Sequence, residues 1–181
     1  MPIVPSRPVK VKLIAAVMAA DPRLLSEARD VFARDYGVAD ASSTVFPFSY
    51  SDFYREEMGE ALVKVFCSFE RLVEPGEIVR AKLRAIESEK RFLAEGTSKR
   101  RVNLDPGYLD GTKLVLATTK NSDHRIYVGE GLYAGVELVY RKGSFIRLDW
   151  TYLDYRESLA TEFFNGVRRI YLAQLKAEAN C

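Results

Sequence analysis

Cysteine, histidine and tryptophan are nearly missing from this chain, which holds two, one and one of them among 181 residues. Cys67 lies in an apolar stretch and Cys181 is the last residue. No pair therefore has metal-knuckle or redox spacing, and no disulfide framework exists. A reducing, cytoplasmic setting is the expectation. One histidine, His124, excludes a multi-histidine zinc site, and no metal is expected. Long apolar runs are lacking too: Leu13 to Ala20 is the longest, far short of the ~20 residues that cross a bilayer. The segment Met1 to Pro8 holds no apolar core of signal-peptide length ahead of a cleavage site. Neither secretion nor membrane insertion is expected.

What is present is an ordinary globular composition. The 48% hydrophobic and 29% charged fractions are far from the low-hydrophobicity corner that disordered chains occupy. No repeat, low-complexity tract or linker divides the chain, so one domain over 1–181 is expected, with 1–8 and 177–181 poorly ordered. The net charge of +2 implies no acidic partner by itself. Between Thr97 and Leu148, however, nine Lys and Arg stand against five acids, which makes the middle of the chain basic.

Val9, Val11 and Leu13 alternate with Lys10 and Lys12 before the run turns wholly apolar, as in a strand entering a core. Asp21 and Pro22 then open a helix with an apolar stripe of Leu24, Leu25, Ala28, Val31 and Phe32, and Gly37 is its natural stop. Thr44 to Tyr54 is aromatic and extended, but Pro47 confines it to an edge strand or loop. Ala61 to Phe69 is a further strand. Pro75 opens a charged helix whose Val79, Leu83, Ile86 and Leu93 are expected to face the core. From Arg101 the period becomes that of strands, at Arg101–Leu104, Lys113–Thr118, Arg125–Val128, Leu132–Tyr140 and Phe145–Leu148, with glycine turns between the last three. Asp154 and Glu157 read as a capping box for a closing helix that presents Leu159, Phe163, Val167, Ile170 and Tyr171. The expectation is an α+β fold: a β-α opening and a mainly antiparallel sheet packed by about three helices.

Several strings approach known motifs and miss. Gly107 to Lys113 has two glycines and a lysine, but the spacing is one short and no Ser or Thr follows Lys113, so it reads as a turn before a buried strand. Thr119-Lys120-Asn121-Ser122-Asp123 places its Asp one residue too far to read guanine as the GTPases do, and reads as a polar loop. Gly129 to Gly135 is one residue off the dinucleotide fingerprint and lies between strands, where it makes a hairpin. Lys142 to Ile146 lacks most of the aromatics of an RNA-recognition motif.

Three groups of residues remain as candidates. Arg101, Asn103 and Asp105 alternate with Val102 and Leu104, so a guanidinium, an amide and a carboxylate share one side of a strand that ends in the Asp-Pro-Gly turn beside Tyr108. That is either a polar ligand shelf or a solvated face with internal Arg–Asp pairing. Lys120, His124 and Arg125 sit together in a loop, and His124 is the one residue able to supply imidazole acid–base chemistry. Trp150 and Tyr152 could stack a base or sugar, or staple the last helix to the sheet. Tyr50, Phe53 and Tyr54 carry the same ambiguity.

The strings Arg-Val-Asn-Leu-Asp-Pro-Gly-Tyr (101–108), Leu-Val-Leu-Ala-Thr-Thr-Lys (114–120), His-Arg-Ile-Tyr (124–127) and Trp-Thr-Tyr (150–152) resemble a family of ~180-residue bacterial proteins known as a domain of unknown function. Some members are labelled GTP-binding. The resemblance implies a shared polar site at turns, without an established activity or cofactor. Leu153 stands where relatives would carry Pro.

The leading expectation is a site for a small anionic ligand such as a nucleotide or phosphorylated metabolite. Arg101, Lys120 and Arg125 would neutralise charge there, Asn103 and Asp105 would give direction, and His124 would be the general acid or base. An RNA-binding module using the same basic strands is the second reading, and a non-enzymatic interaction domain built on Thr44 to Tyr54 is the third.

Overall fold

The computed structural model describes residues 4–180. Strand β1 (Val11–Ala19) is buried along its whole length, as its apolar run from Leu13 requires of a strand with neighbours on both edges and layers on both faces, and Lys12 is buried with it. It lies between β4 (Val63–Val73) and β5 (Val102–Leu109), antiparallel to each. Beyond β4 come β2 (Ala39–Ser42) and the two-residue β3 (Phe46–Pro47). Beyond β5 come β6 (Lys113–Thr118), β8 (Leu132–Arg141) and β7 (Arg125–Gly129), with β9 (Ser144–Arg147) also on β8. All pairings in this nine-stranded sheet are antiparallel. The chain has the expected α+β class.

Helices cover both faces. Leu13, Ala15 and Val17 of β1 pack with Cys67, Phe69 and Leu104 beneath α1 (Leu24–Asp30), α2 (Ala33–Tyr36) and α4 (Glu77–Glu89), which contribute Leu25, Ala28, Tyr36, Ala81 and Ala85, and beneath Phe32 at the junction of α1 and α2. Ile14 and Ala16 face the other way, onto Phe164, Val167 and Tyr171 of α5 (Ser158–Ala179). A smaller cluster joins Met18 to Phe48, Met58 and Leu62, which anchor the loop between β3 and β4 that contains the single turn α3 (Arg55–Met58). Among the described residues no helix is long and apolar enough to cross a membrane.

Several expected details differ. The opening helix is broken into α1 and α2, and Gly37 ends it at φ 80°. In α4 the buried apolar positions are Ile78, Ala81 and Ala85, followed by Phe92 just beyond it, whereas Leu83 and Leu93 are exposed. Small alanines let the helix approach the sheet, so the contact face is shifted from the row of large aliphatics. The Asp-Pro-Gly string is no turn: it lies inside β5. Asp154 is not a helix cap, because Leu153–Arg156 form a 3-10 turn, α5 starts at Ser158, and the Asp154 carboxylate pairs elsewhere. The strands from Arg101 on, which their sequence spacing suggests as an antiparallel meander, do not lie in chain order across the sheet, since β6 pairs with β8 and leaves β7 at the margin. The two expected glycine turns are present, with positive φ at Glu130 and Gly131 and at Lys142 and Gly143, the signature of two-residue type I′ hairpins. Residues 177–179, expected to be poorly ordered, belong to α5, while 1–3 and 181 lie outside the described residues.

Candidate functional site

The sheet forks at β5. Pairing with β6 covers only Gly107 to Leu109 and stops at Pro106, which has no N–H to donate, whereas pairing with β1 runs on to Val102. Ala117 and Thr118 of β6 pair with β8 on one edge and have no strand partner on the edge toward β5. The gap between the diverging strands is a cleft of about 510 Å³, within the usual size of small-molecule sites.

The floor of the cleft is a network of buried charges. Asn103 and Asp105 stand opposite Met18 and Ala16 of β1. Lys82, on the helix covering the opposite face, reaches through the fork to donate to Asp105 Oδ1 (2.9 Å) and Leu104 O (3.0 Å). Asn103 Nδ2 donates to Asp105 Oδ2 at 2.7 Å. Burial acts to raise the Asp105 carboxyl, but Lys82 and Lys64 outweigh it and hold the group below its ordinary value. Arg100 binds both oxygens of Glu57 at 2.7 Å, Glu89 at 2.9 Å and Asn103 Oδ1 at 3.2 Å. Lys64 pairs with Asp154 at 2.6 Å, both side chains being almost fully buried, and lies 5.1–5.6 Å from the ring centres of Phe48, Phe66 and Tyr155.

One wall is built on an irregularity of β8. Leu114 pairs with Leu138 but Val115 pairs with Val136, which leaves Glu137 as the extra residue of a bulge. Bulges re-aim side chains, and here the carboxyl lines the cleft while only 2% exposed. On the outer edge of β8, β7 pairs as far as Gly135 and β9 begins at Leu138. The Trp-Thr-Tyr string fills the space between them. Trp150 Nε1 donates to Val136 O at 2.7 Å, Thr151 Oγ1 donates to Glu137 O, and Tyr152 N donates to Glu137 Oε2 at 3.1 Å. Burial raises the Glu137 carboxyl above its ordinary value, with the Tyr152 N–H and Arg125 acting against it.

The mouth is formed by exposed Phe53, Lys120 and Tyr152 and by half-buried Arg125. Arg125 stands opposite Gly135, whose missing side chain leaves room for it: a Cβ there would sit 3.3 Å from Arg125 Cγ. Its guanidinium donates to Tyr152 Oη (2.7 Å) and Lys120 O (3.0 Å). Lys120 Nζ lies 3.5 Å from the ring centre of Phe53, which reaches over from the loop between β3 and β4. Among the described residues neither Lys120 nor Arg125 has a carboxylate partner, whereas Lys64, Lys82 and Arg100 all do.

Of the candidates named from sequence, the cleft gathers Asn103, Asp105, Lys120, Arg125 and Tyr152. Arg101 is exposed just before β5 and outside the cleft lining. It lies within electrostatic reach of Asp21, whose carboxyl is held below its ordinary value mainly by hydrogen bonds from Arg23. Arg100 occupies the position expected of it. Tyr108 belongs to the other face, beside Ile78 and Val115. His124 and Trp150 stack behind the mouth, ring centres 5.2 Å apart, outside the lining; His124 Nδ1 meets Ser122 Oγ and Asp123 Oδ1, each at 3.0 Å, and its buried Nε2 has no partner. Lys64, Lys82, Glu137, Asp154 and Tyr155 were missed. The available signal was a lone charge inside an apolar string, as at Lys64 in Leu-Val-Lys-Val-Phe. Among the described residues no three His, Cys, Asp or Glu side chains come together as metal ligands.

A family model described as Domain of unknown function (DUF4416) matches residues 9–171. The chain belongs to this family. No curated protein and no solved structure matches it. The DUF4416 match spans β1 to Tyr171 and so includes every residue of the cleft.

Proposed function

We propose that the cleft binds a small anionic organic ligand, with Lys120 and Arg125 neutralising its charge at the mouth. The observation that carries this reading is the contrast in pairing. Every cation on the floor already has a carboxylate, while the two at the mouth are held by neutral groups, a carbonyl, a phenol and a ring face. A cation kept in place without its counter-charge is suited to an incoming phosphate or carboxylate. The aromatic walls, Phe48, Tyr54 and Tyr152, suit a ligand with an apolar or planar part. Catalysis would fall to Glu137, a buried carboxyl facing the cleft, more readily than to His124 outside it.

Calorimetric titration with pyrophosphate, ribonucleoside 5′-monophosphates and hexose phosphates tests the reading. Lys120→Ala and Arg125→Ala should each weaken binding by about tenfold, the effect of a lost charge-assisted hydrogen bond. Unchanged affinity in both folded variants would sink it. The RNA reading has less support, because Lys113 and Arg100 of the basic segment are spent on Asp110, Glu57 and Glu89. The interaction-surface reading is weakened by Phe48, Tyr50 and Tyr54, which pack around Met18.

A further inference from the structure

Tyr155 is 1% exposed and its ring is fixed by Phe66, at 4.8 Å between ring centres, and by a stacked Phe164 at 5.7 Å. Its hydroxyl has no hydrogen-bond partner. Such orphans are rare in native folds because each forfeits the hydrogen bonds it made with water. Tyr155 is among the residues that line the cleft, with its hydroxyl buried, and the charges that act on that hydroxyl, Asp154, Asp105 and Glu137, are those of the floor and wall. Asp154 is occupied by Lys64, and Asp105 by Lys82 and Asn103. Glu137 has one oxygen on the Tyr152 N–H and no described partner for the other. The inner end of the cleft thus holds one unspent O–H donor and one unspent carboxylate oxygen, the latter within electrostatic reach of Arg125.

We infer that the inner end of the cleft recognises a neutral group that both accepts and donates hydrogen bonds, so that the ligand is a phosphorylated ring compound with hydroxyl or amino substituents. This rests on the anion-binding reading of the mouth. Tyr155 Oη would donate to the ring substituent while Glu137 accepts from it. The chemistry is shared by sugar phosphates and nucleoside phosphates. The orphaned hydroxyl is then a stability cost kept for recognition, of the kind that binding sites retain.

Two measurements on wild type and Tyr155→Phe test this. The first is apo stability by thermal melting. Loss of an unpartnered hydroxyl should leave the melting temperature unchanged or raise it; a lowered one would mean that the hydroxyl has a structural partner and would overturn the inference. The second is calorimetric affinity for pyrophosphate, ribonucleoside 5′-monophosphates and hexose 6-phosphates. Ring-bearing phosphates of one of the two classes should bind wild type at least tenfold tighter than pyrophosphate. Tyr155→Phe should lower that affinity about 3–10-fold and leave pyrophosphate unaffected. Glu137→Gln, whose amide keeps the shape but offers a donor in place of an acceptor edge, should narrow the same discrimination from the opposite wall. Pyrophosphate binding without ring discrimination, or with discrimination untouched by Tyr155→Phe as a bound water at Oη would give, overturns this inference alone. No binding by any of the three overturns the anion-site reading and this one with it.

Discussion

Lys64 and Asp154, ninety positions apart in the chain, meet in a buried 2.6 Å ion pair that ties β4 to the 3-10 turn before α5. Burying two charges costs more than their attraction returns unless every lone pair and proton is served, and removal of one partner strands the other. Asp154→Ala should therefore destabilise the fold by about 3–5 kcal/mol in urea titration, whereas Lys64→Met with Asp154→Leu should recover most of that loss. A single variant no worse than the double would show that the pair is solvated.

Gly107 is placed where no other residue fits. A Cβ there would lie 2.2 Å from the Val115 carbonyl oxygen and 2.7 Å from Leu116 Cδ2, at the last β5–β6 pair before the fork. Since the obstacle is backbone, β6 itself must move. Gly107→Ala should cost about 3 kcal/mol, the upper end of overpacking effects, and should also disturb ligand binding, because Leu116 and Ala117 line the cleft. A melting curve matching wild type would contradict the tight approach of the two strands.

The framework was legible in the sequence where one period ran uninterrupted. The apolar run of β1 from Leu13, the apolar strand of β6 and the Gly-containing hairpins follow from local pattern; in α5 only Val167 and Tyr171 of the expected stripe are buried, because the core face is centred on Ala160, Phe164, Val167 and Tyr171, with Leu159 and Phe163 flanking it. The site was half legible. Asn103, Asp105, Lys120, Arg125 and Tyr152 stood out as polar or aromatic residues at strand ends and loops. Lys64, Lys82 and Glu137 did not, because their positions obey tertiary facts: a bulge that turns Glu137 inward, and a fork that opens a path for Lys82. Lys12 makes the same point outside the cleft. It alternates as a solvent-facing residue would, yet it is fully buried, with Asp40 at 2.5 Å, Phe69 O at 2.8 Å and Gln174 at 2.7 Å as partners from three elements.

Glu137 and Asp105 line the same cleft but titrate with opposite signs. Burial raises Glu137 above its ordinary 4.5, so the native state holds that proton more tightly than the unfolded chain. Its contribution to stability is complete below pH 4.5 and is lost as pH rises through the raised value. Glu137→Gln abolishes that loss. Relative to wild type, the variant should gain stability as pH is raised from 4.5, with no further change once the wild-type carboxyl is ionised. Urea unfolding across this range checks it, and a constant difference at every pH would refute it.

Asp105 is held below its ordinary 3.8 by Lys82 and Lys64 despite burial. Its contribution is present above pH 3.8 and is lost as pH falls through the lowered value. Asp105→Asn should therefore be destabilised at neutral pH and should approach wild type on acidification. A gap between the two that widens below pH 3.8 would show that the two lysines do not control this carboxylate.

Phe53 is 60% exposed, and its ring holds Lys120 Nζ at 3.5 Å across the mouth of the cleft. An exposed cation–π contact is worth about 0.5–1 kcal/mol, and an anion that takes Lys120 must first displace it. Phe53→Ala removes that competitor without opening the core, since Phe48, Met58 and Leu62 anchor the loop independently. Stability should change by no more than about 0.5 kcal/mol, as for other surface substitutions, while affinity for pyrophosphate should rise about 2–5-fold. If affinity falls instead, the ring orients Lys120 toward the anion and does not compete for it. Calorimetry at fixed ionic strength separates the two outcomes, because screening weakens any exposed charge pairing at the mouth in wild type and variant alike.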